Sequence, residues 1–244
     1  MKLFVVGLGP GGAEQITPRA MAVLNQCDVI AGYTVYIDLI RELFPGKRLL
    51  DTPMKQEEKR CRLAIEEALS GNTVALVSSG DAGVYGMAGI MYETAREFPE
   101  IEIEVVAGIT AACSGGALLG APLSHDFAVI SLSDLLTPWE KIEARLQAAA
   151  QADFVICLYN PASKKRSDYL ARASEIIMRF QSGDLPAGIV RNIGREDESW
   201  QVTTLAALRE IPVDMFTTVM IGNSQTRIIR GKMVTPRGYR YEET

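Results

Sequence analysis

Histidine occurs once in these 244 residues, as His125, and the four cysteines, Cys27, Cys61, Cys113 and Cys157, are scattered. No two cysteines share a short spacing, so neither a zinc site nor a disulfide framework is expected. Three of them lie in or beside apolar runs and read as buried, reduced thiols. One histidine excludes a multi-histidine metal site and confines imidazole acid–base chemistry to a single position. Positive charge is also short: 25 Lys and Arg stand against 30 Asp and Glu, a net charge of −5. A general nucleic-acid binder needs a basic surface, so that class is excluded. Long apolar runs are missing too. Met1 and Lys2 lead into a run of strand length, too short for a signal sequence or a membrane span, and the expectation is a cytoplasmic protein. Phosphate loops fail, because Gly46-Lys47 is followed by Arg48 and Gly231-Lys232 by Met233, with no Ser or Thr for magnesium. A serine hydrolase fails for want of a G-x-S-x-G elbow.

What remains is an ordinary globular composition, 48% apolar and 23% charged, with length for one large domain or two small ones. The most informative stretch is the start. Lys2 to Val6 climbs through β-branched residues into Gly7-Leu8-Gly9-Pro10-Gly11-Gly12, and a helical pattern follows. That is a buried strand delivering a flexible loop to its carboxyl end, where open α/β sheets bind ligands. Gly7, Gly9 and Gly12 have the offsets of a dinucleotide fingerprint, but Pro10 removes an amide that would face a pyrophosphate. The second strand, Asp28 to Gly32, ends in Tyr33 and not in an acid for a ribose. The loop therefore binds something else.

Two more small-residue turns follow strands. Thr73 to Val77 runs into Ser78-Ser79-Gly80-Asp81-Ala82-Gly83-Val84-Tyr85-Gly86, and Glu102 to Val106 into Ala107-Gly108-Ile109-Thr110. In a parallel sheet all three turns fall on one edge, which is stronger than any one alone. Asp81 is a candidate for a ribose or a cation, or else an aspartate that only stabilises its turn. Strands alternating with helices predict a parallel sheet up to about Leu119. The helix Ala111 to Leu119 is so rich in Ala and Gly that other backbone is expected to pack against it. After Gly120 strands and helices still alternate, through strands at Ala128 to Leu132, Phe154 to Leu158 and Ala187 to Arg191. The remaining strand-like segments, Gln201 to Thr204, Phe216 to Ile221 and Ile228 to Val234, are closer spaced, which suggests antiparallel pairing. The predicted domains are 1–119, with a parallel sheet, and 120–244, with a mixed sheet.

These residues resemble the tetrapyrrole (corrin/porphyrin) methylase family. Gly7-Leu8-Gly9-Pro10-Gly11 with Thr17 is similar to its first motif, Gly80-Asp81 with Tyr85 to its second, and Gly108-Ile109-Thr110-Ala111 with Gly120-Ala121-Pro122-Leu123 to its third. Ala82 stands where the family usually has proline, Ala107 and Thr110 depart from its Pro-Gly-Ile-Ser pattern, and Tyr33 lies in the region where uroporphyrinogen methyltransferases place an aspartate. Within the family, Ser124-His125-Asp126 through Ser133-Asp134, Leu158-Tyr159-Asn160-Pro161 with Ser163 and Arg166, and Gly222-Asn223-Ser224 resemble the precorrin-3B C-17 methyltransferases and their cobalt-factor III counterparts.

The resemblance implies a two-domain class III methyltransferase-like α/β fold with the site in the cleft between the domains, usually in a homodimer. It implies S-adenosylmethionine as cofactor, and methylation of C-17 with ring contraction to precorrin-4 or cobalt-precorrin-4, in cobalamin biosynthesis. Carried over by position, Pro10, Gly80, Asp81, Val84, Thr110, Ala111 and Tyr159 line the cofactor site, with Arg191 and Asn192 toward the adenine. Gly9, Gly11, Lys164 and Arg166 face the substrate, and no metal site is implied. His125 is the candidate general acid/base, or a ligand to substrate cobalt, or a residue that only braces its turn. Lys55, Arg60, Lys165, Arg195 and Arg227 join the basic residues available to the substrate's carboxylates. Rival readings are a relative acting at another precorrin position or on RNA or protein, and a nucleotide-binding module without turnover.

Overall fold

The computed structural model describes residues 1–163 and 167–239. The chain divides into two compact units, Met1–Ala111 and Ala112–Thr244. The first is built on five strands, β1 (Lys2–Gly7), β2 (Val29–Tyr33), β3 (Arg48–Thr52), β4 (Val74–Ser78) and β5 (Glu102–Val106). All pair in parallel in the order β3-β2-β4-β1-β5. Helices α1 (Pro18–Gln26), α2 (Thr34–Ile40), α3 (Glu57–Leu69) and α4 (Ala88–Thr94) connect them. Side chains alternate along β1: Leu3 and Val5 enter one core with Cys61, Ala64 and Ile65 of α3, while Phe4 and Val6 enter another with Val23 and Leu24 of α1 and Ile37 of α2. Burial on both faces explains why the strand reads as one apolar run. Thr17 caps α1, its hydroxyl accepting from the Ala20 amide at 3.1 Å, with Pro18 as the first helical residue.

The second unit opens with α5 (Ala111–Leu119) and continues through β6 (Gly120–Ala121), β7 (Phe127–Ser131), α6 (Trp139–Gln151), β8 (Val155–Tyr159), α7 (Tyr169–Met178), β9 (Pro186–Arg191), β10 (Ser199–Thr204), β11 (Thr217–Ile221), β12 (Arg227–Ile229) and β13 (Lys232–Val234). Its main sheet runs β10-β9-β11-β8-β7. Only β7 and β8 are parallel; β11 is antiparallel to β8 and β9, and β10 to β9. The mixed sheet expected from the strand spacing is present. A second small sheet, β12-β13-β6, adds a hairpin.

Apolar residues of α6 and α7, such as Ile142, Leu146, Ala173 and Ile177, cover one face of the main sheet with Ile156, Leu158, Ile189 and Val219. Helix α5 lies against β9 and β11 instead. A Cβ at Gly115 would come within 2.7 Å of Val190 Cγ2 and 3.2 Å of Met220 Cε. The close neighbours of this small-residue helix are thus sheet side chains, where the sequence suggested backbone. The packing ties α5 to the second unit, whereas its sequence position had grouped it with the first.

Cys27, Cys61 and Cys157 are buried and Cys113 is exposed. Burial pushes the Cys27 and Cys157 thiols up to about 12 and Cys61 to about 11, so these three stay protonated at neutral pH. Among the described residues no helix is long and apolar enough to cross a membrane.

Candidate active site

In the first unit the three turns leave the adjacent strands β4, β1 and β5 at one edge of the sheet. They are knitted together by main chain. The Leu8 amide donates to Ser78 O at 2.9 Å, the Gly9 amide to Gly80 O at 3.0 Å, and the Gly80 amide back to Gly9 O at 2.7 Å. Such contact requires glycine: a Cβ at Gly108 would fall 2.2 Å from Gly80 O, and one at Gly7 2.6 Å from the same oxygen. Gly80 itself has φ +66°, the left-handed region. Asp81 ties the second turn to the third, its Oδ1 accepting from the Gly83 amide at 2.8 Å and its Oδ2 from the Gly108 amide at 3.0 Å. Thr17 adds a longer link, its hydroxyl donating to Ala107 O at 3.4 Å.

These bonds have a chemical consequence. The amides of Leu8, Gly9, Gly80, Gly83 and Gly108 are all donated within the turns, so they do not form an anion-binding nest for a pyrophosphate. Pro10, buried beside them, takes no amide from a phosphate cradle because none is assembled there. Asp81, a candidate for either a ligand role or a turn role, holds the turns together. Its two oxygens retain further lone pairs for a ligand's donors. Ala82, the departure from the usual proline, is fully buried and accepts from the Ala88 amide at 2.9 Å, so this turn is held by packing and hydrogen bonds.

In the second unit the carboxyl ends of β7 and β8 lie side by side, with Ser131 opposite Tyr159. The Tyr159 hydroxyl accepts from the Ala112 amide at 2.6 Å, which satisfies an otherwise orphaned donor in the first turn of α5. Asn160, with φ +52°, donates from Nδ2 to Ser131 Oγ at 2.9 Å, and the same oxygen accepts from the Ser133 amide at 3.2 Å. The Asp134 carboxylate accepts from the Tyr169 hydroxyl at 2.6 Å, which pulls that phenol above its usual pKa. The Ser131–Asn160 pair was not anticipated; the signal was there in two polar residues ending adjacent strands.

His125 stands elsewhere. It precedes β7, and the Val155 amide at the start of β8 donates to Asp126 O at 3.1 Å. It is therefore at the amino edge of this sheet, about 15–20 Å from Tyr159 by strand length. Its Nδ1 accepts from the Asp126 amide at 2.8 Å. The Asp126 carboxylate lies 3.6 Å from the same nitrogen, and the shorter amide contact assigns Nδ1 as acceptor. That leaves Nε2 for exchange with solvent or ligand. The chain-end rule for parallel strands would have separated His125 from Tyr159 from sequence alone.

The basic candidates also sort themselves. Arg191, exposed at the end of β9, donates from Nε to Asp214 Oδ2 at 2.8 Å. Asn192 follows with φ +53°, its amide donating to Phe216 O. Arg195 stacks over Phe216 at 5.2 Å, and Arg227 donates to Ser224 O and Thr226 O. Lys55 is exposed. Arg60 is buried, 4% exposed. Lys164, Lys165 and Arg166 lie outside the described residues.

Residues 2–209 match the family model of the Tetrapyrrole (Corrin/Porphyrin) Methylases. The chain is 45% identical over 238 residues to a probable cobalt-factor III C(17)-methyltransferase of Salmonella typhimurium, covering 97% of this chain and 99% of that protein. It is 44% identical over 248 residues to the cobalt-factor III methyltransferase of Priestia megaterium, covering 100% of this chain and 46% of that protein. The chain thus spans about half the length of the latter relative. Among solved structures it is similar to the methyltransferase CobJ, with a TM-score of 0.88, 36% identity, and coverage of 96% of this chain and 99% of that one.

Proposed function

The chain belongs to the tetrapyrrole (corrin/porphyrin) methylases, and from that premise we propose that it is a S-adenosylmethionine-dependent methyltransferase of cobalamin biosynthesis, acting on C-17 of cobalt-factor III with ring contraction to cobalt-precorrin-4. The cobalt-bearing substrate is preferred over metal-free precorrin-3B because the relatives at 44 and 45% identity carry the cobalt-factor III name. The metal belongs to the substrate. No nucleic-acid partner is proposed, and a homodimer is the assembly to look for, read by sedimentation.

The observation that carries the cofactor assignment is the closed set of main-chain hydrogen bonds among the three turns, which consumes the amides that a pyrophosphate would need. A sulfonium donor carries one carboxylate and no phosphate, so it does not need that whole set of amides. It needs close backbone approach and acceptors for its ribose and amino groups, which Gly80, the remaining lone pairs of Asp81, and the segment Thr110-Ala111 offer. In this reading Pro10, with Gly9 and Gly11, forms a floor for the substrate. Val84 joins the residues offered to the donor, and Tyr159, Arg191 and Asn192 are kept as the second unit's own candidates for it. When bound, the donor supplies a methyl group already activated on sulfur, so the chain's own work is alignment and exclusion of water. Lys164 and Arg166 are reserved for substrate carboxylates.

Ring contraction adds proton transfers. His125 is the single imidazole, but it stands at the amino edge of the second sheet, away from Tyr159, so its part in that step is what the substitution tests. If it serves that step, His125→Ala still transfers a methyl group but accumulates an uncontracted product; unchanged turnover removes it from the mechanism. The cofactor reading is tested by calorimetry with S-adenosylmethionine, NAD and ATP in turn. Binding of the sulfonium ligand alone supports it, and binding of NAD or ATP in its place contradicts it.

A further inference from the structure

Arg60, the fourth residue of α3, is 4% exposed, yet no described carboxylate lies within ion-pair distance of it. Glu57, the nearest acid on its own helix, meets the Lys55 amide at 3.3 Å instead. The guanidinium reaches the carboxyl edge of the first sheet. Its Nε donates to Thr52 Oγ1 at 2.8 Å, and its Nη2 to Pro53 O at 3.1 Å and Thr52 O at 3.4 Å, all at or just beyond the end of β3. The Tyr33 ring, ending β2, lies 5.8 Å from its Cζ. Nη1 is different: its partner is the Met87 sulfur at 3.6 Å, in the turn that follows β4. Thioether sulfur is a weak acceptor. One end of the fork thus carries two N–H groups without an oxygen acceptor among the described residues.

Burial penalises the charge and draws the guanidinium below its usual pKa, with Glu57 opposing from a distance. The group nonetheless stays protonated, since arginine does not lose its proton in proteins. A buried cation held by neutral oxygens, a sulfur and a ring face alone gains strongly from an incoming carboxylate. Arg191, by contrast, is exposed and already paired with Asp214.

We propose that Arg60 is a carboxylate receptor for the substrate, taking one acid side chain of the macrocycle on Nη1 while Thr52 and Pro53 hold the other end of the fork. This rests on the functional reading above, in which the substrate is a polycarboxylate. It assigns Arg60 to substrate affinity and register, not to the methyl donor. In that place a lysine is a poorer substitute, because only the planar fork keeps its strand-end bonds and offers a free end at once.

The test uses the full chain and two variants, Arg60→Met and Arg60→Lys, with KM for the tetrapyrrole at low and high salt, the S-adenosylmethionine dissociation constant, and the melting temperature. Arg60→Met is expected to raise KM about ten- to a hundredfold, the range of one charge-assisted hydrogen bond. The donor's dissociation constant should stay within about twofold, and the salt dependence of KM should flatten, because one screened attraction is gone. Arg60→Lys should raise KM less and keep the salt dependence. An unchanged KM overturns the proposal, and so does a parallel fall in donor affinity and melting temperature, the mark of a purely structural residue. If Arg60→Met does not fold, an unchanged KM in a folded Arg60→Lys overturns it alone. Absence of turnover in the unaltered protein overturns the functional reading and this inference together, whereas turnover insensitive to Arg60 overturns only the inference.

Discussion

The carboxyl edges of the two sheets are built by different means. In the first unit, Gly7, Gly80 and Gly108 bring three turns into main-chain contact, and one side chain, Asp81, fastens the second to the third. In the second unit the corresponding edge has one main-chain bond, from the Leu132 amide to Tyr159 O at 2.9 Å, and is otherwise held by side chains. Tyr159 takes the Ala112 amide of α5, Asn160 binds Ser131 at the end of β7, and Tyr169 of α7 binds Asp134. The contrast teaches what each edge tolerates. Main-chain contact leaves no room even for a methyl group, while side-chain bonds can be lost singly with the scaffold intact.

The largest expected effect is therefore Gly108→Ala. Its Cβ would meet backbone atoms of both Gly80 and Gly7 at 2.2 and 2.7 Å, and neither can rotate away. A loss of about 3 kcal/mol or more is expected in urea denaturation, with donor binding abolished. Next comes Asp81→Ala, which strips the Gly108 and Gly83 amides of their acceptor. About 1–3 kcal/mol should be lost, with donor affinity falling more than stability alone explains. Tyr159→Phe should be milder, about 0.5–1.5 kcal/mol in a thermal melt, the range of a neutral hydrogen bond such as that from the Ala112 amide. Should Tyr159→Phe prove as damaging as Gly108→Ala, the contrast between the two edges is broken.

The smallest effect concerns Asp214. Partial burial pushes its carboxyl up, but hydrogen bonds from Arg191, Thr217 and the Phe216 amide outweigh this and leave it below its usual value. A carboxyl depressed in the folded state stabilises above its unfolded pKa, and that contribution fades as pH falls through the folded one. The stability gap between the unaltered protein and Asp214→Asn should hold at neutral pH and close below about pH 4. Both partners are over a third exposed, so the gap is at most about 1 kcal/mol. A gap that widens in acid contradicts the sign.

Much of this was legible beforehand, for identifiable reasons. β1 and β4 are buried on both faces, so each reads as an apolar run, and each ends in glycines that a helix cannot explain. The change to antiparallel pairing after β9 was legible from strand spacing. Helix α5 was harder to assign, because Ala, Gly, Ser and Leu give it no polar face to show which side is covered; only Gly115 against Val190 reveals it. Contacts between turns distant in sequence, such as Asp81 to Gly108, leave no periodic trace. Arg60 looked like any basic residue on an amphipathic helix, and only its burial against strand-end carbonyls sets it apart. His125 and Tyr159 sit beside the same sheet in sequence yet at opposite edges of it, which only strand direction distinguishes.

The most direct test of the central claim is a single incubation of the protein with S-adenosylmethionine carrying an isotopically labelled methyl group, together with cobalt-factor III. The predicted result is one labelled methyl on the macrocycle, at C-17 of a contracted ring, with S-adenosylhomocysteine formed in equal amount. Label that stays on the donor, or that appears at another ring position, contradicts the account.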